Sequence, residues 1–158
     1  MEKTFREGNI GALMDEYERA AGELVRVVEN LSDDDFERIL DSRTTDEDCR
    51  SVQTIMKHVV GAGYAYADYL RELFSISSQR PSTRTYARQE SLKELVSMLK
   101  YTAETLDGRW VMSDDEIVNS VIHARWGVTY DIEQFLEHAV VHVLRHRRQI
   151  EKLIRSQN

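Results

Sequence analysis

Residues 131–155 read DIEQFLEHAVVHVLRHRRQIEKLIR, and this stretch decides the fold. Ile132, Phe135, Leu136, Ala139, Val140, Val143, Leu144, Ile150, Leu153 and Ile154 recur with helical spacing and form one wide apolar face. Asp131, with Gln134 three residues later, gives the helix a well-defined start near Asp131, and it runs to about Arg155. The same stretch carries His138, His142 and His146, each one turn from the next.

The pattern repeats upstream. A first helix is expected from about Gly11 to Leu31, with Leu13, Met14, Tyr17, Ala21, Leu24, Val25 and Val28 inward. A short helix fits Asp33 to Leu40, whose acidic residues suit a helix N-terminus, and the polar stretch Asp41 to Arg50 reads as a loop. A second long helix is expected from about Ser51 to Phe74. Gly61 and Gly63 weaken it by roughly 1 kcal/mol each against alanine, which suggests close approach of a neighbouring helix or a ligand. A third begins at the capping box Ser91–Glu94 and stops at Asp107-Gly108. Ser113–Glu116 is another capping box and predicts a short helix near Ile117 to Ile122.

Four long amphipathic helices in 158 residues, with a lone proline, predict one all-α domain over residues 1–158, a four-helix bundle with short extra helices in its connections. The loop from Ser75 to Arg88 can span at most ~46 Å, enough to cross a bundle roughly 30 Å long and let the second and third long helices run parallel.

A net charge of −7 argues against a nucleic-acid partner, and the cations at Arg145, Arg147, Arg148, Lys152 and Arg155 suit the C-terminal end of a helix dipole. Cys49 is the only cysteine, so there is no internal disulfide and no cysteine-rich zinc site. No apolar run approaches membrane-spanning length, and no secretory h-region opens the chain; a cytoplasmic protein is expected.

Histidines at i and i+4 can grip one metal ion, although such pairs also arise in helices that bind nothing. His58 sits among Ile55, Val59 and Ala62 on an inward face, where its ring nitrogens need a polar partner. His58 lies about 10 Å from the start of its helix, while His146 and His142 lie about 14 and 20 Å from the end of theirs. If the two helices are antiparallel, His58 falls within about a turn of His146. Antiparallel second and fourth helices, with parallel second and third, make an up-down-down-up bundle.

Two stretches of this sequence resemble the DinB-like (YfiT-like) bundle proteins: Thr54-Ile-Met-Lys-His58-Val-Val-Gly-Ala-Gly-Tyr-Ala-Tyr, and His138-Ala-Val-Val-His142-Val-Leu-Arg-His146-Arg-Arg-Gln149-Ile. The second is similar to that family's closing histidine-x3-histidine-arginine-x-glutamine motif. The resemblance implies an up-down-down-up bundle, often a homodimer, with one divalent metal (nickel, zinc or iron) on three histidines and open coordination positions. Carried over by position, the ligands are His58, His142 and His146. Arg148 stands where the family often has glycine, and His138 is additional, read as support behind a ligand or as structural. His123 is read as lying at the surface or one layer behind it.

The resemblance also implies chemistry. Wider relatives are thiol S-transferases that use low-molecular-weight thiols such as bacillithiol or mycothiol on small electrophiles, and others are described as metal-dependent hydrolases. The opposing expectation is a non-catalytic dimeric bundle with a structural or vestigial metal site. Around the histidines, Tyr64, Tyr66 and Trp126 are expected to pack in the core or at its rim. Gln149 is expected to hydrogen-bond near the site or face water, and Glu137 either to orient a ligand imidazole or to stay solvated. No serine–histidine–acid pattern, phosphate loop or nucleotide motif is present, and no catalytic side chain is named.

Overall fold

The four long helices are α1 (Gly8–Glu29), α3 (Val52–Leu73), α4 (Arg88–Leu106) and α6 (Ile132–Arg155), with α2 (Asp33–Glu37) and α5 (Asp114–Asn119) in the connections. This is a computed structural model, and it describes residues 4–156. Side chains from all four long helices, among them Met14, Tyr17, Leu24, Ile55, Met56, Leu95, Met98, Phe135 and Ile150, meet in one apolar core. Each is at most 2% exposed, and full burial of a side chain of this size is worth roughly 1.5–3 kcal/mol before entropy is counted. None of the described helices is long and apolar enough to cross a membrane.

Paired contacts fix the directions. Along α3, Gly63 faces Met98, and Arg71, further on, bonds Thr105, so α3 and α4 run parallel. His58 meets His142 and His146, whereas Tyr66 meets His138 and Phe135, so α3 and α6 run antiparallel. Tyr17 reaches Met98, and the carbonyl of Glu29 reaches Arg88, so α1 opposes α4. The bundle is up-down-down-up. The segment between α3 and α4 crosses its length and is tied down by Asp68, which accepts from Ser78 and Tyr101 and pairs with Arg80. Gly63 serves the helix–helix approach: a Cβ there would lie 2.5 Å from Met98 Sδ.

The structure moves several boundaries. α1 starts at Gly8 rather than Gly11, because the Trp110 carbonyl accepts from the amides of Ile10 and Gly11 at 3.1 and 3.2 Å and Gly8 takes a left-handed φ of 74°. α4 starts at Arg88, so the expected box at Ser91 does not form. Ser91 lies inside the helix, its amide bonded to the Ala87 carbonyl, while Arg88 pairs with Asp33 and anchors the earlier start. α2 ends at Glu37, not Leu40, once Phe36 is buried.

The box Ser113–Glu116 forms as expected, but its helix spans Asp114–Asn119, earlier than the expected Ile117–Ile122. The chain then makes a hairpin of β1 (Ile122–His123) and β2 (Thr129–Tyr130), turning through Gly127 at φ 85°. The stretch expected as plain loop holds a 3-10 turn at Glu47–Cys49, capped by the Asp46 side chain.

Candidate metal centre

α3 and α6 bring together the histidines that the sequence singled out. His58 lies two turns into α3, whose start is fixed by reciprocal hydrogen bonds between Ser51 and Thr54. His142 and His146 lie one turn apart on α6, whose start is fixed by the box of Asp131 and Gln134. The His58 ring lies 5.0 Å from that of His142 and 4.9 Å from that of His146 between centroids, and the latter two are 4.5 Å apart. One ring nitrogen from each residue falls within 4.8 Å of the others.

The outer nitrogens show which atoms face the centre. His146 Nδ1 lies 2.8 Å from Gln149 Oε1, an acceptor, so Nδ1 carries the hydrogen and Nε2 keeps its lone pair. His58 Nδ1 lies 3.5 Å from Asp48 Oδ2, and His58 Nε2 lies 3.1 Å from His142 Nε2. Burial, reinforced by the positive charge that His146, His58, His138 and Arg145 can carry, pushes His142 down to about 3. Burial also lowers His146, against the opposing effect of its bond to Gln149. These two rings are therefore neutral at neutral pH, the form in which imidazole binds a metal.

These residues fit a divalent cation. Metal–nitrogen bonds of 2.0–2.1 Å put tetrahedral ligands about 3.3 Å apart, close to the 3.1 Å between His58 and His142. Carboxylate and amide partners on the outer nitrogens are the usual way ligand imidazoles are oriented. The centre opens onto a pocket of about 330 Å³, which leaves room for a small molecule beside the histidines.

That pocket contains residues the sequence reading passed over. Asp46, Asp48 and Cys49 form one wall, from the stretch read as plain loop. Asp46 accepts from the Asp48 amide at 3.0 Å and from Cys49 Sγ at 3.3 Å. Burial raises the Cys49 thiol, so it is not a thiolate poised to attack. The crowding of Asp46, Asp48 and Cys49 just ahead of the helix bearing His58 was the available signal.

The remaining candidates separate. Tyr66 sets the edge of its ring against both His142 and His138. His138 lies between the hydroxyls of Tyr66 and Tyr130, each at 3.4 Å, and stacks on Trp126; it stands one turn behind the trio, in a structural place. Tyr64 instead faces α4, packing on Tyr101 and reaching Glu94. His123 is exposed on β1, beside the Thr129 hydroxyl. Glu137 is exposed and orients no imidazole; Gln149 takes that role for His146, and Asp48 is the carboxylate nearest the outer nitrogen of His58.

A parallel bundle pair crossed by a long connection, with three imidazoles shared between α3 and α6, is the arrangement that the two quoted motifs implied. The sequence model of the DinB family matches residues 1–157. This chain belongs to the DinB family. Comparison with curated proteins finds no match, so the family relationship rests on the family model. Arg147, the arginine of the DinB-like closing motif, reaches back to Glu23 and ties α6 to α1 rather than lining the pocket.

Proposed function

We propose that this DinB-family protein is a metal-dependent enzyme, a thiol S-transferase in the first instance and a hydrolase in the second. The observation that carries the reading is the convergence of His58, His142 and His146 in the lining of one pocket. A divalent cation held there supplies Lewis acidity, lowering the pKa of a thiol or water that reaches it and so furnishing a nucleophile near neutral pH. Nickel, zinc and iron all suit imidazole ligands.

The chain's own residues do the rest. An imidazole ligand carries no charge, so a cation held by His58, His142 and His146 would keep its full charge. Gln149 holds the His146 ring through its outer nitrogen, and the Asp48 carboxylate lies 3.5 Å from that of His58. Tyr66, pushed up to about 12 mainly by burial, remains a protonated phenol and packs against His142, closing the side of the site away from the pocket. The same reading has the protein working in the cytoplasm as a homodimer, with a low-molecular-weight thiol and a small electrophile as partners.

The test has two stages. Protein purified without a histidine tag should carry about one divalent ion per chain, and His58→Ala should lose it. Thiol conjugation to an electrophile such as monochlorobimane should then be measured with and without chelator. A rate abolished by chelator and restored by metal supports the reading; stoichiometric metal with no chelator-sensitive rate favours a structural site.

A further inference from the structure

We propose that Arg145 makes the metal pocket selective for molecules that carry a carboxylate or similar anionic group beside the atom facing the three imidazoles. This deepens the thiol-transferase reading and rests on it.

The argument begins with which polar groups in the pocket are already committed. Asp46 is used by the Asp48 amide and the Cys49 thiol, Asp48 faces His58, and Gln149 holds His146. Arg145 is the remaining charged residue on the wall, and it makes no hydrogen bond or ion pair with any described residue. The helix itself denies it one: its neighbours at three and four residues are Val141, His142, Arg148 and Gln149, none of them acidic. Arg147, two residues on, has Glu151 at that spacing and Glu23 across the helix interface.

Arg145 lies one residue before His146 on α6 and lines the same pocket as the three imidazoles, so its charge acts across that pocket. With a divalent cation on the three neutral imidazoles, an unpaired guanidinium beside it is repelled. An anion lying between them relieves that repulsion and can take both N–H groups of the guanidinium fork. The pocket, about 330 Å³, is large enough for a small thiol that bears such a group.

The experiment uses the full chain loaded with cobalt(II), whose charge-transfer absorption reports a bound thiolate directly. Two probes of similar length are titrated, 3-mercaptopropionate and uncharged 2-mercaptoethanol, into the parent, Arg145→Gln and Arg145→Lys. The parent should prefer 3-mercaptopropionate by roughly tenfold, the scale of one charge-assisted hydrogen-bonded pair. The preference, read as the ratio of the two probes' affinities within each protein so that any general effect on thiolate binding cancels, should vanish in Arg145→Gln and survive in part in Arg145→Lys. Differences in thiol basicity cancel between variants.

A preference that persists in Arg145→Gln would mean that the probe's carboxylate meets the metal itself, and would overturn the inference alone. An absent preference in the parent does the same. No thiolate signal with either probe in the parent would overturn the thiol-transferase reading together with this one.

Discussion

The protonation of His142 ties the site to the stability of the metal-free protein, and the effect can be worked out. In the unfolded chain this imidazole titrates near 6.5; in the folded bundle, burial first, and then repulsion from charge on the neighbouring histidines and Arg145, brings it to about 3. The folded state therefore keeps the ring neutral while the unfolded state takes up a proton. Stability contributed by the neutral ring is present above pH 6.5 and is lost progressively as pH falls from there toward 3. Between pH 7 and pH 5 the unfolded state gains about 2 kcal/mol from this one residue.

Urea unfolding in the presence of chelator should show it. With a slope of ~2 kcal/mol per molar, the parent's midpoint should fall by about 1 M more than that of His142→Leu between those two pH values. Ordinary carboxylates titrate in both proteins and drop out of the difference. If His142→Leu loses as much stability as the parent over this interval, the ring is not held neutral by its surroundings and the electrostatic account of the site is wrong.

Further outcomes follow from contacts described above. Gln149→Leu removes the acceptor that fixes the His146 tautomer and should weaken metal binding by roughly 10- to 100-fold in competition with a chromophoric chelator, with the far-UV circular dichroism unchanged. An affinity within twofold of the parent would show that the bond does not orient the ring. Gly63→Val forces atoms into Met98 and should cost ~1–3 kcal/mol in chemical denaturation. In a Met98→Ala background the same change should cost little, and equal penalties in both backgrounds would place the clash elsewhere.

The trio of histidines was legible because two independent regularities pointed to it. The i, i+4 spacing on α6 puts His142 and His146 on one face, and the level of His58 along α3 matches them when the helices oppose each other. The long helices were legible for the same reason: helical periodicity persists over many residues. What stayed hidden depends on contacts that periodicity does not encode. The wall of Asp46, Asp48 and Cys49 belongs to an irregular segment held by backbone bonds from Leu40 and Asp41 to the Arg50 carbonyl. The start of α1 is set by Trp110, about a hundred residues away in sequence, and that of α4 by Asp33. Strands of two residues, such as β1 and β2, are too short to show alternation, leaving Gly127 as their one local sign.

The directions of the helices have a practical consequence for handling the protein. α1 begins, and α3 finishes, at the end of the bundle remote from the three imidazoles, whereas α6 runs past them and stops about 14 Å beyond His146. Any extension joined after α6 emerges on the same side as the pocket. A polyhistidine purification handle placed there would compete with His58, His142 and His146 for any divalent ion offered to them. The segment just ahead of α1 is pinned along that helix by Arg6, whose amide bonds Asp15 and whose guanidinium meets Asp15 and Glu18, so a handle joined there starts from a different helix than the one carrying His142 and His146.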